Sequence, residues 1–171
     1  MLNSKIKKIK KNKKEYGLFA IEVIEKNEII WMEDENNIEL VRFLSIEEIE
    51  NLPIQQKNVF LTYCFQIDIN LYSGYINLHD VETDDANYMN HSCDPNCWYE
   101  GEILIARRKI EIGEEICYDY GTDTTGRDWN FECTCGAINC RKFIKRDDWK
   151  KIKNIYDNHF ITYIVKKLLI N

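Results

Sequence analysis

The chain has 171 residues, of which 44% are hydrophobic, 12% aromatic and 30% charged. This balance is typical of a folded globular domain and excludes a disordered chain. A chain of this length supports a single hydrophobic core, which excludes a small scaffold held together only by crosslinks. No apolar run reaches the ~18 to 20 residues of a membrane-spanning helix, and lysines follow the charged start, so we expect an intracellular protein without membrane contact.

Charge is distributed unevenly along the chain. The formal net charge is −6, yet residues 1–14 hold seven lysines and no acid, which leaves 16 basic and 29 acidic residues, or −13, in residues 15–171. Such an acidic body should attract basic ligands and repel nucleic-acid phosphates, unless it serves solubility alone. In the basic N-terminal segment, residues 1–12, Ile6 and Ile9 alternate with lysines as on an edge strand; a nuclear-entry or nucleic-acid patch is the alternative.

Short strands with one helical insertion are predicted for most of the chain. Residues 16–24 and 28–31 have strand patterns around a turn at residues 26–27. Ser45 followed by Glu48 is a capping-box signature, which predicts a short helix over residues 46–51. Further strands, separated by turns at Gly74, Gly101 and Gly113, are predicted for residues 63–69, 75–78, 98–99, 103–107 and 115–118.

The hydrophobic period changes from residue 147 onward. Apolar residues then recur three or four positions apart, at Trp149, Ile152, Tyr156, Phe160, Ile164 and Leu168. This spacing predicts an amphipathic C-terminal helix with a break near Asn158 and His159. Its apolar stripe should pack on the domain, with binding to a partner as the alternative. The fold class is therefore mainly β (α+β), in one domain.

Two polar segments are candidates for a functional site. Residues 87–97 combine small polar side chains with His91 and Pro95, which predicts a shaped loop rather than a core strand. In residues 112–121, Tyr118 and Tyr120 are two positions apart on an extended segment and so point to the same side. Packing on one sheet face is the alternative explanation for this pair.

Seven cysteines without a secretory signal indicate thiols or a metal rather than disulfides. The Cys-x-Cys-x4-Cys spacing of Cys133, Cys135 and Cys140 predicts three thiolate ligands of a tetrahedral zinc site, which needs a fourth ligand. Cys93 and Cys97 are both candidates for that fourth position. Free thiols throughout are the alternative.

Three motifs, in this order, resemble those of SET-domain protein lysine methyltransferases with a post-SET zinc motif. Residues 90–96 match Asn-His-Ser-Cys-x-Pro-Asn at every defined position. Residues 113–120 match Gly-Glu-Glu-Leu-x-(Phe/Tyr)-Asp-Tyr, with Ile116 in place of leucine. Residues 133–141 match the post-SET cysteines and the arginine that follows them. The likeness covers roughly residues 13–146.

The chain departs from the family pattern at two places. The Gly-x-Gly of the first strand, which lets backbone approach the cofactor, is Glu15-Tyr16-Gly17, so only the second glycine remains. The arginine that usually opens Arg-Phe-x-Asn-His is Asn87, and Tyr88 takes the aromatic place.

The resemblance implies a fold of small curved sheets with a knot-like crossing at the active site. It divides the chain into a SET domain over residues 13–128, with an insert around residues 40–62, and a post-SET zinc segment over residues 129–146. The amphipathic helix then occupies residues 147–171.

The resemblance also implies a role for each matching residue. The residues at the methyl-transfer centre are Tyr120, which is catalytic, and Tyr118, which tunes the number of methyl groups added. The substrate channel is formed by Tyr63, Tyr88 and Tyr118. The S-adenosyl-L-methionine site is formed by Gly17, Leu18, Phe19, Asn90, His91, Tyr120 and Phe143, with Trp129 as a further candidate for its aromatic wall. The zinc ligands are Cys93, Cys133, Cys135 and Cys140, with Cys97 ranked behind Cys93.

The chemistry of such a site is methyl transfer to a lysine amine. An unperturbed lysine has a pKa of about 10.4, so a neutral amine at pH 7 costs roughly 4.6 kcal/mol. An aromatic channel lowers this cost by disfavouring the ammonium, and a tyrosine hydroxyl can orient the amine. A hydroxyl at Tyr118 leaves less room for further methyl groups, which favours mono- or dimethylation. His91 is expected to fix its loop rather than act as a base.

The expected partner is a protein with an exposed lysine, such as a histone-type basic tail, although other lysines fit equally well. A catalytically silent module that binds basic tails is one alternative. A zinc-dependent nucleic-acid binder is another, which the acidic body disfavours. The reaction is expected in a nucleus or the cytoplasm. A host nucleus is included if the source is a parasite, an intracellular bacterium or a virus. The sequence does not indicate an oligomeric state.

Overall fold

A computed structural model of the chain describes residues 1–13, 15–33, 38–125 and 129–170. Lys14, one of the seven lysines of residues 1–14, and the predicted boundaries at residues 128 and 171 lie outside the described residues. The strands are β1 (Ile6–Lys10), β2 (Tyr16–Ala20), β3 (Ile29–Trp31), β4 (Arg42–Leu44), β5 (Phe65–Asp68), β6 (Leu71–Gly74), β7 (Asn90–His91), β8 (Cys97–Glu100), β9 (Ile103–Ala106), β10 (Glu115–Tyr118), β11 (Asn130–Glu132) and β12 (Phe143–Lys145). The helices are α1 (Ile46–Glu50), α2 (Ile54–Tyr63), α3 (Leu78–Glu82), α4 (Asp148–Tyr156) and α5 (Thr162–Ile170), and two 3-10 turns cover Asp85–Tyr88 and Tyr120–Thr122.

The described strands form four small sheets. Their strand orders are β1-β2-β10-β7, β3-β9-β8, β4-β6-β5 and β11-β12. Neighbouring strands are antiparallel except β10 and β7, which pair in parallel. The parallel pair brings together two segments far apart in the chain, as the predicted active-site crossing requires. The prediction of a mainly β fold of small sheets is confirmed.

The basic N-terminal segment forms an edge strand, as its isoleucines interspersed among lysines predict. Among the described strands, β1 pairs only with β2. Ile6 is buried and Ile9 is exposed. Three lysines of this segment form ion pairs with acids of the body, namely Lys5 with Glu28, Lys8 with Asp85 and Lys11 with Glu115. The segment therefore neutralises part of the body's acidic charge.

The insert is more helical than its sequence pattern predicts. The capping box is confirmed, because Ser45 accepts from the Glu48 N–H and Glu48 accepts from the Ser45 N–H. Tyr63, however, ends α2 instead of starting a strand. The predicted strand over residues 75–78 is also wrong, because the strand lies at β6 and α3 begins at Leu78. A Cβ at Gly74 would lie 2.9 Å from the Cys64 Cβ, so this glycine permits a close approach between two segments of the chain rather than a turn.

The C-terminal stripe packs on the domain, as predicted. It forms α4 and α5, which are separated by residues 157–161 near the expected break. Five of its apolar residues belong to the main hydrophobic core, namely Trp149, Ile152, Tyr156, Phe160 and Ile164. Two smaller apolar clusters lie in the insert and around the post-SET cysteines. No helix within the described ranges is long and apolar enough to cross a membrane.

Candidate active site

The parallel pairing of β7 and β10 joins the two polar motifs. In this pairing Asn90 lies opposite Cys117, and His91 lies opposite Tyr118. Asn96, the last residue of the first motif, fixes the register: its amide donates to the Glu115 carbonyl at 2.8 Å, and its Oδ1 accepts from the Cys117 N–H at 3.0 Å. The first motif is therefore held along the strand that carries the tyrosines.

Tyr118 and Tyr120 line one cavity of about 180 Å³. Their ring centroids are 4.9 Å apart, and Tyr63, from the end of α2, lines the same cavity. The Tyr88 ring lies instead beside Tyr16, at 5.5 Å, with the Lys8 ammonium 4.3 Å from its centroid. Tyr63 and Tyr118 thus line the cavity, whereas Tyr88 is next to it: its ring lies edge-on to that of Tyr63, with centroids 6.5 Å apart.

Two hydrogen bonds fix the orientation of Tyr120, one at its hydroxyl and one at its backbone N–H. Its hydroxyl donates to the Met89 carbonyl at 2.8 Å, and its backbone N–H donates to His91 Nδ1 at 3.2 Å. Burial raises the pKa of the Tyr120 phenol, so the hydroxyl stays protonated at neutral pH. With its proton directed to Met89, the hydroxyl oxygen has lone pairs left for another donor.

His91 joins the active-site loop to the cysteine cluster. Burial lowers the pKa of His91 to about 4, so the ring is neutral. Since Nδ1 accepts from Tyr120, the ring proton is assigned to Nε2, which faces the Cys93 Sγ at 3.4 Å. This arrangement supports the expectation that His91 fixes the loop.

A buried ionic network supports the turn between the two tyrosines. The Asp119 carboxylate accepts two hydrogen bonds of 2.6 Å from the Arg141 guanidinium and one of 3.1 Å from the Tyr156 hydroxyl. Arg141 Nε lies 3.2 Å from Asp148 at the start of α4. The arginine after the post-SET cysteines and helix α4 therefore both position the segment that carries Tyr120.

Asp123 is a site residue that the sequence analysis missed. Its carboxylate lines the cavity and accepts from the Tyr118 hydroxyl at 2.9 Å and the Tyr99 hydroxyl at 3.3 Å. Thr124 donates to its other oxygen at 2.7 Å. Burial raises the pKa of Asp123 to about 6. No motif marks this aspartate, because its role depends on a tyrosine 24 residues away on β8.

On the predicted cofactor side, Asn90 and Gly17 are neighbours. The Asn90 amide donates to the Tyr16 carbonyl at 2.9 Å and to Glu115 Oε1 at 2.7 Å. A Cβ at Gly17 would lie 2.5 Å from the same Glu115 oxygen, so a larger residue at this position would require the Glu115 carboxylate to move. The Leu18 side chain is fully buried in the core, and Leu18 lies opposite Lys8 of β1 on one side and Ile116 of β10 on the other.

An aromatic wall borders this side of the site. Phe131, which the sequence analysis did not single out, lies 5.4 Å from His91 and 5.8 Å from both Tyr120 and Trp129, measured between ring centroids. Phe143 and Trp129 share a shallow depression at the surface. The buried Trp129 Nε1 has no hydrogen-bond partner among the described residues. An unpaired donor beside stacked rings fits a flat heteroaromatic ligand with hydrogen-bond acceptors.

The predicted zinc ligands form a compact cluster. The sulfur atoms of Cys93, Cys133, Cys135 and Cys140 all lie within 4.8 Å of one another, and the Cys93 and Cys133 sulfurs are 3.9 Å apart. Zn–S bonds of about 2.3 Å in a tetrahedron separate the sulfurs by about 3.8 Å, so the cluster fits Zn²⁺. The competing candidate, Cys97, is fully buried and donates to the Cys117 carbonyl at 3.0 Å.

The paired motifs, the tyrosine-lined cavity and the adjacent thiol cluster define a protein of the SET-domain class. The sequence profile of the SET domain matches residues 15–121, and the chain belongs to this family.

Several relatives named histone-lysine N-methyltransferase are identical to this chain at about a third of the aligned positions. The protein trr of Drosophila melanogaster is 35% identical over 141 residues, 75% of this chain and 5% of trr. ATXR7 of Arabidopsis thaliana and the H3 lysine-4 specific enzyme of Mycosarcoma maydis are each 32% identical, over 79% and 76% of this chain. The chain spans less than a tenth of the length of these relatives.

Two solved structures share the fold. The methyltransferase domain of human SETMAR has a TM-score of 0.53 and 19% identity, over 83% of this chain and 58% of that chain. KRYPTONITE, in complex with mCHG DNA and SAH, has a TM-score of 0.53 and 21% identity, over 83% of this chain and 29% of that chain.

Proposed function

We propose that the protein transfers a methyl group from S-adenosyl-L-methionine to the side-chain amine of a protein lysine. The observation that carries this proposal is the cavity wall formed by Tyr118 and Tyr120, beside the strand pairing that places Asn90 and His91 next to them. The names of the relatives support the reaction class.

S-adenosyl-L-methionine, when bound, supplies an electrophilic methyl carbon on a sulfonium. The Asn90 amide and the backbone of Gly17, Leu18 and Phe19 are the polar groups that we assign to it, together with the backbone of His91. Phe143 and Trp129 are assigned to the heteroaromatic ring, because they share one surface depression. Phe131 extends this wall toward Tyr120.

The lysine amine is delivered through the cavity. Its aromatic walls desolvate the lysine stem and disfavour the ammonium, which lowers the cost of presenting a neutral nucleophile. Tyr120, held by Met89 and His91, has lone pairs left to align the amine with the methyl carbon. The hydroxyl of Tyr118 occupies space beside the amine, and we therefore propose mono- or dimethylation as the main outcome.

The four-cysteine cluster is proposed to hold one structural zinc ion. Cys93 belongs to the active-site loop, whereas Cys133, Cys135 and Cys140 belong to the C-terminal segment that carries Arg141 and Phe143. Zinc binding in such sites contributes on the order of 10 kcal/mol to ordering the chain. The ion would thus tie the aromatic wall and the Asp119 network to the loop.

The proposed substrate is a lysine on a histone-type basic tail. The formal charge of −13 over residues 15–171 favours a basic partner over a nucleic acid. A histone substrate would place the reaction in a nucleus.

Transfer of radiolabelled methyl groups to purified core histones tests the proposal. We expect label with the wild type and a loss of at least a hundredfold with Tyr120→Phe, because the phenol oxygen orients the amine. Equal label with both proteins would refute the role of Tyr120.

One observation favours a second function, a silent module that binds basic tails. Glu15 occupies the first glycine position of the family pattern, and its N–H donates to Asn12 Oδ1 at 3.1 Å in the turn between β1 and β2. We propose that a side chain here, in place of glycine, hinders the approach of a cofactor to the protein backbone. Retention of histones by the protein without any label would support the silent module and overturn the enzymatic proposal.

A further inference from the structure

A buried carboxylate lies in the cavity wall without a basic partner among the residues that the structure describes. Asp123 is 2% exposed, and its hydrogen bonds come from the hydroxyls of Tyr99, Tyr118 and Thr124. Within the described ranges, no lysine, arginine or histidine forms an ion pair with it. Burying a carboxylate costs free energy unless hydrogen bonds replace those it made to water. The hydrogen bonds to Asp123 therefore also fix the positions of the three hydroxyls that donate them.

The titratable groups around Asp123 come from three elements and its own turn. Tyr99 belongs to β8 and Tyr118 to β10. The Tyr163 hydroxyl of α5 lies 2.8 Å from Gln66 Oε1 and 2.9 Å from the Asp123 backbone carbonyl, either of which can accept its proton. Asp119 and Tyr120 lie in the same turn, and the Asp119 charge adds to burial in raising the Asp123 pKa. None of these neighbours carries a positive charge. Neutral hydrogen-bond donors, rather than ion pairs, therefore satisfy the carboxylate.

We propose that Asp123 is a positioning residue that holds the Tyr118 hydroxyl proton and thereby presents the Tyr118 oxygen to the substrate nitrogen as a hydrogen-bond acceptor. This inference rests on the proposed function for its effect on the product. It concerns a residue outside the three motifs that carry the family resemblance.

The acceptor role of Tyr118 has a consequence for the number of methyl groups. A phenol has one donor and two lone pairs, and the donor is used by Asp123. A neutral lysine amine and a neutral monomethyl amine both carry an N–H that can donate to the Tyr118 oxygen. A neutral dimethyl amine carries none, so Tyr118 cannot hold it in line for a third transfer. Asp123 thus favours products with one or two methyl groups.

Product patterns of four proteins test this inference. Wild type, Asp123→Leu, Tyr118→Phe and the double variant are incubated with core histones and S-adenosyl-L-methionine, and methylation states are read by mass spectrometry. We expect Asp123→Leu to raise the trimethyl fraction at least threefold, and the double variant to match Tyr118→Phe. A wild-type pattern for Asp123→Leu, or additive effects in the double variant, would overturn the inference.

A second measurement needs neither turnover nor the leucine variant. The protein is labelled with ¹³Cζ-tyrosine, the Tyr99, Tyr118 and Tyr163 signals are assigned by phenylalanine variants, and each signal is followed by NMR from pH 4 to 8. Tyr163 is the matched control, because its hydroxyl lies within hydrogen-bond distance of the Asp123 backbone oxygen and does not contact the carboxylate.

We expect Tyr118 and Tyr99 to shift with one common midpoint near pH 6, more than Tyr163, and Asp123→Asn to abolish this transition. Signals without a common transition, or with equal shifts for all three tyrosines, would overturn the inference whatever the histone assay shows. Absence of label from the wild type would overturn the proposed function and leave the NMR result to decide the hydrogen bond.

Discussion

At the scale of single residues, the proposed limit on the number of methyl groups depends on Tyr118, which lines the cavity. Its ring centroid lies 4.9 Å from that of Tyr120, and its hydroxyl donates to the Asp123 carboxylate at 2.9 Å. Replacing it with phenylalanine removes one oxygen and its hydrogen bond while keeping the ring. We expect Tyr118→Phe to add more methyl groups per lysine than the wild type, as read by mass spectrometry of core histones. An unchanged distribution would contradict the assignment of Tyr118.

Gly17 provides a second prediction at this scale. An alanine Cβ would push the Glu115 carboxylate away from Asn90 and Lys11, which both donate to it. Since Asn90 is assigned to the cofactor, we expect Gly17→Ala to weaken S-adenosyl-L-methionine binding about tenfold, the equivalent of about one hydrogen bond. Calorimetry measures the affinity, and a melting temperature near that of the wild type serves as control. Unaltered affinity would remove Gly17 from the site.

Residue roles were predictable where they depend on local spacing. The Cys-x-Cys-x4-Cys spacing and the capping box at Ser45 are both matched by the structure. Asp123 and Phe131 were not predictable, because their contacts come from residues distant in sequence. Tyr88 likewise faces Tyr16 and Lys8, a position that depends on how β1 and β2 pack.

At the scale of elements, α4 supports the active-site turn through packing as well as charge. Ile152 is 2% exposed, and its Cδ1 lies against Gly121, directly after Tyr120. We expect Ile152→Ala to lower the free energy of unfolding by about 2 to 5 kcal/mol, as for other buried large-to-small changes. Denaturant unfolding measures this change.

Ile155 in the same helix is the matched control, because its side chain is 57% exposed. We expect Ile155→Ala to change the free energy of unfolding by less than about 0.5 kcal/mol. Equal losses for the two variants would mean that α4 is not anchored through the face that carries Ile152.

Among elements, strongly periodic segments were predictable and the insert was not. The stripe of α4 and α5 follows a 3.6-residue period, whereas in β1 isoleucines are interspersed among lysines without strict alternation. Helix α2 has no apolar face that distinguishes it from a strand or loop, and Phe60 is its buried residue. Its helical state depends on packing against Ile49 and Tyr72, which no local pattern reveals.

At the scale of the whole molecule, the burial of Asp123 should make stability depend on pH. The carboxyl has an ordinary pKa of about 4 in the unfolded chain and about 6 in the folded protein. Between these values the folded protein binds a proton that the unfolded chain has released, so its stability falls as the pH rises. The contribution is present below pH 4 and is lost above pH 6, with a size on the order of 3 kcal/mol.

The comparison with Asp123→Asn isolates this contribution. We expect the free energy of unfolding of the wild type, relative to that of the variant, to decrease between pH 4 and pH 7. Urea unfolding at several pH values measures both proteins. Parallel pH profiles would show that Asp123 ionises as readily in the folded protein as in the unfolded chain.

Binding of S-adenosyl-L-methionine to the zinc-loaded protein is the measurement that tests the central claim most directly. The account predicts a calorimetric isotherm with one site per chain, weakened by Asn90→Ala and by removal of zinc with a chelator, because the cysteine cluster joins the loop of Asn90 to the aromatic wall. A folded, zinc-loaded wild-type protein that produces no heat of binding would contradict the account.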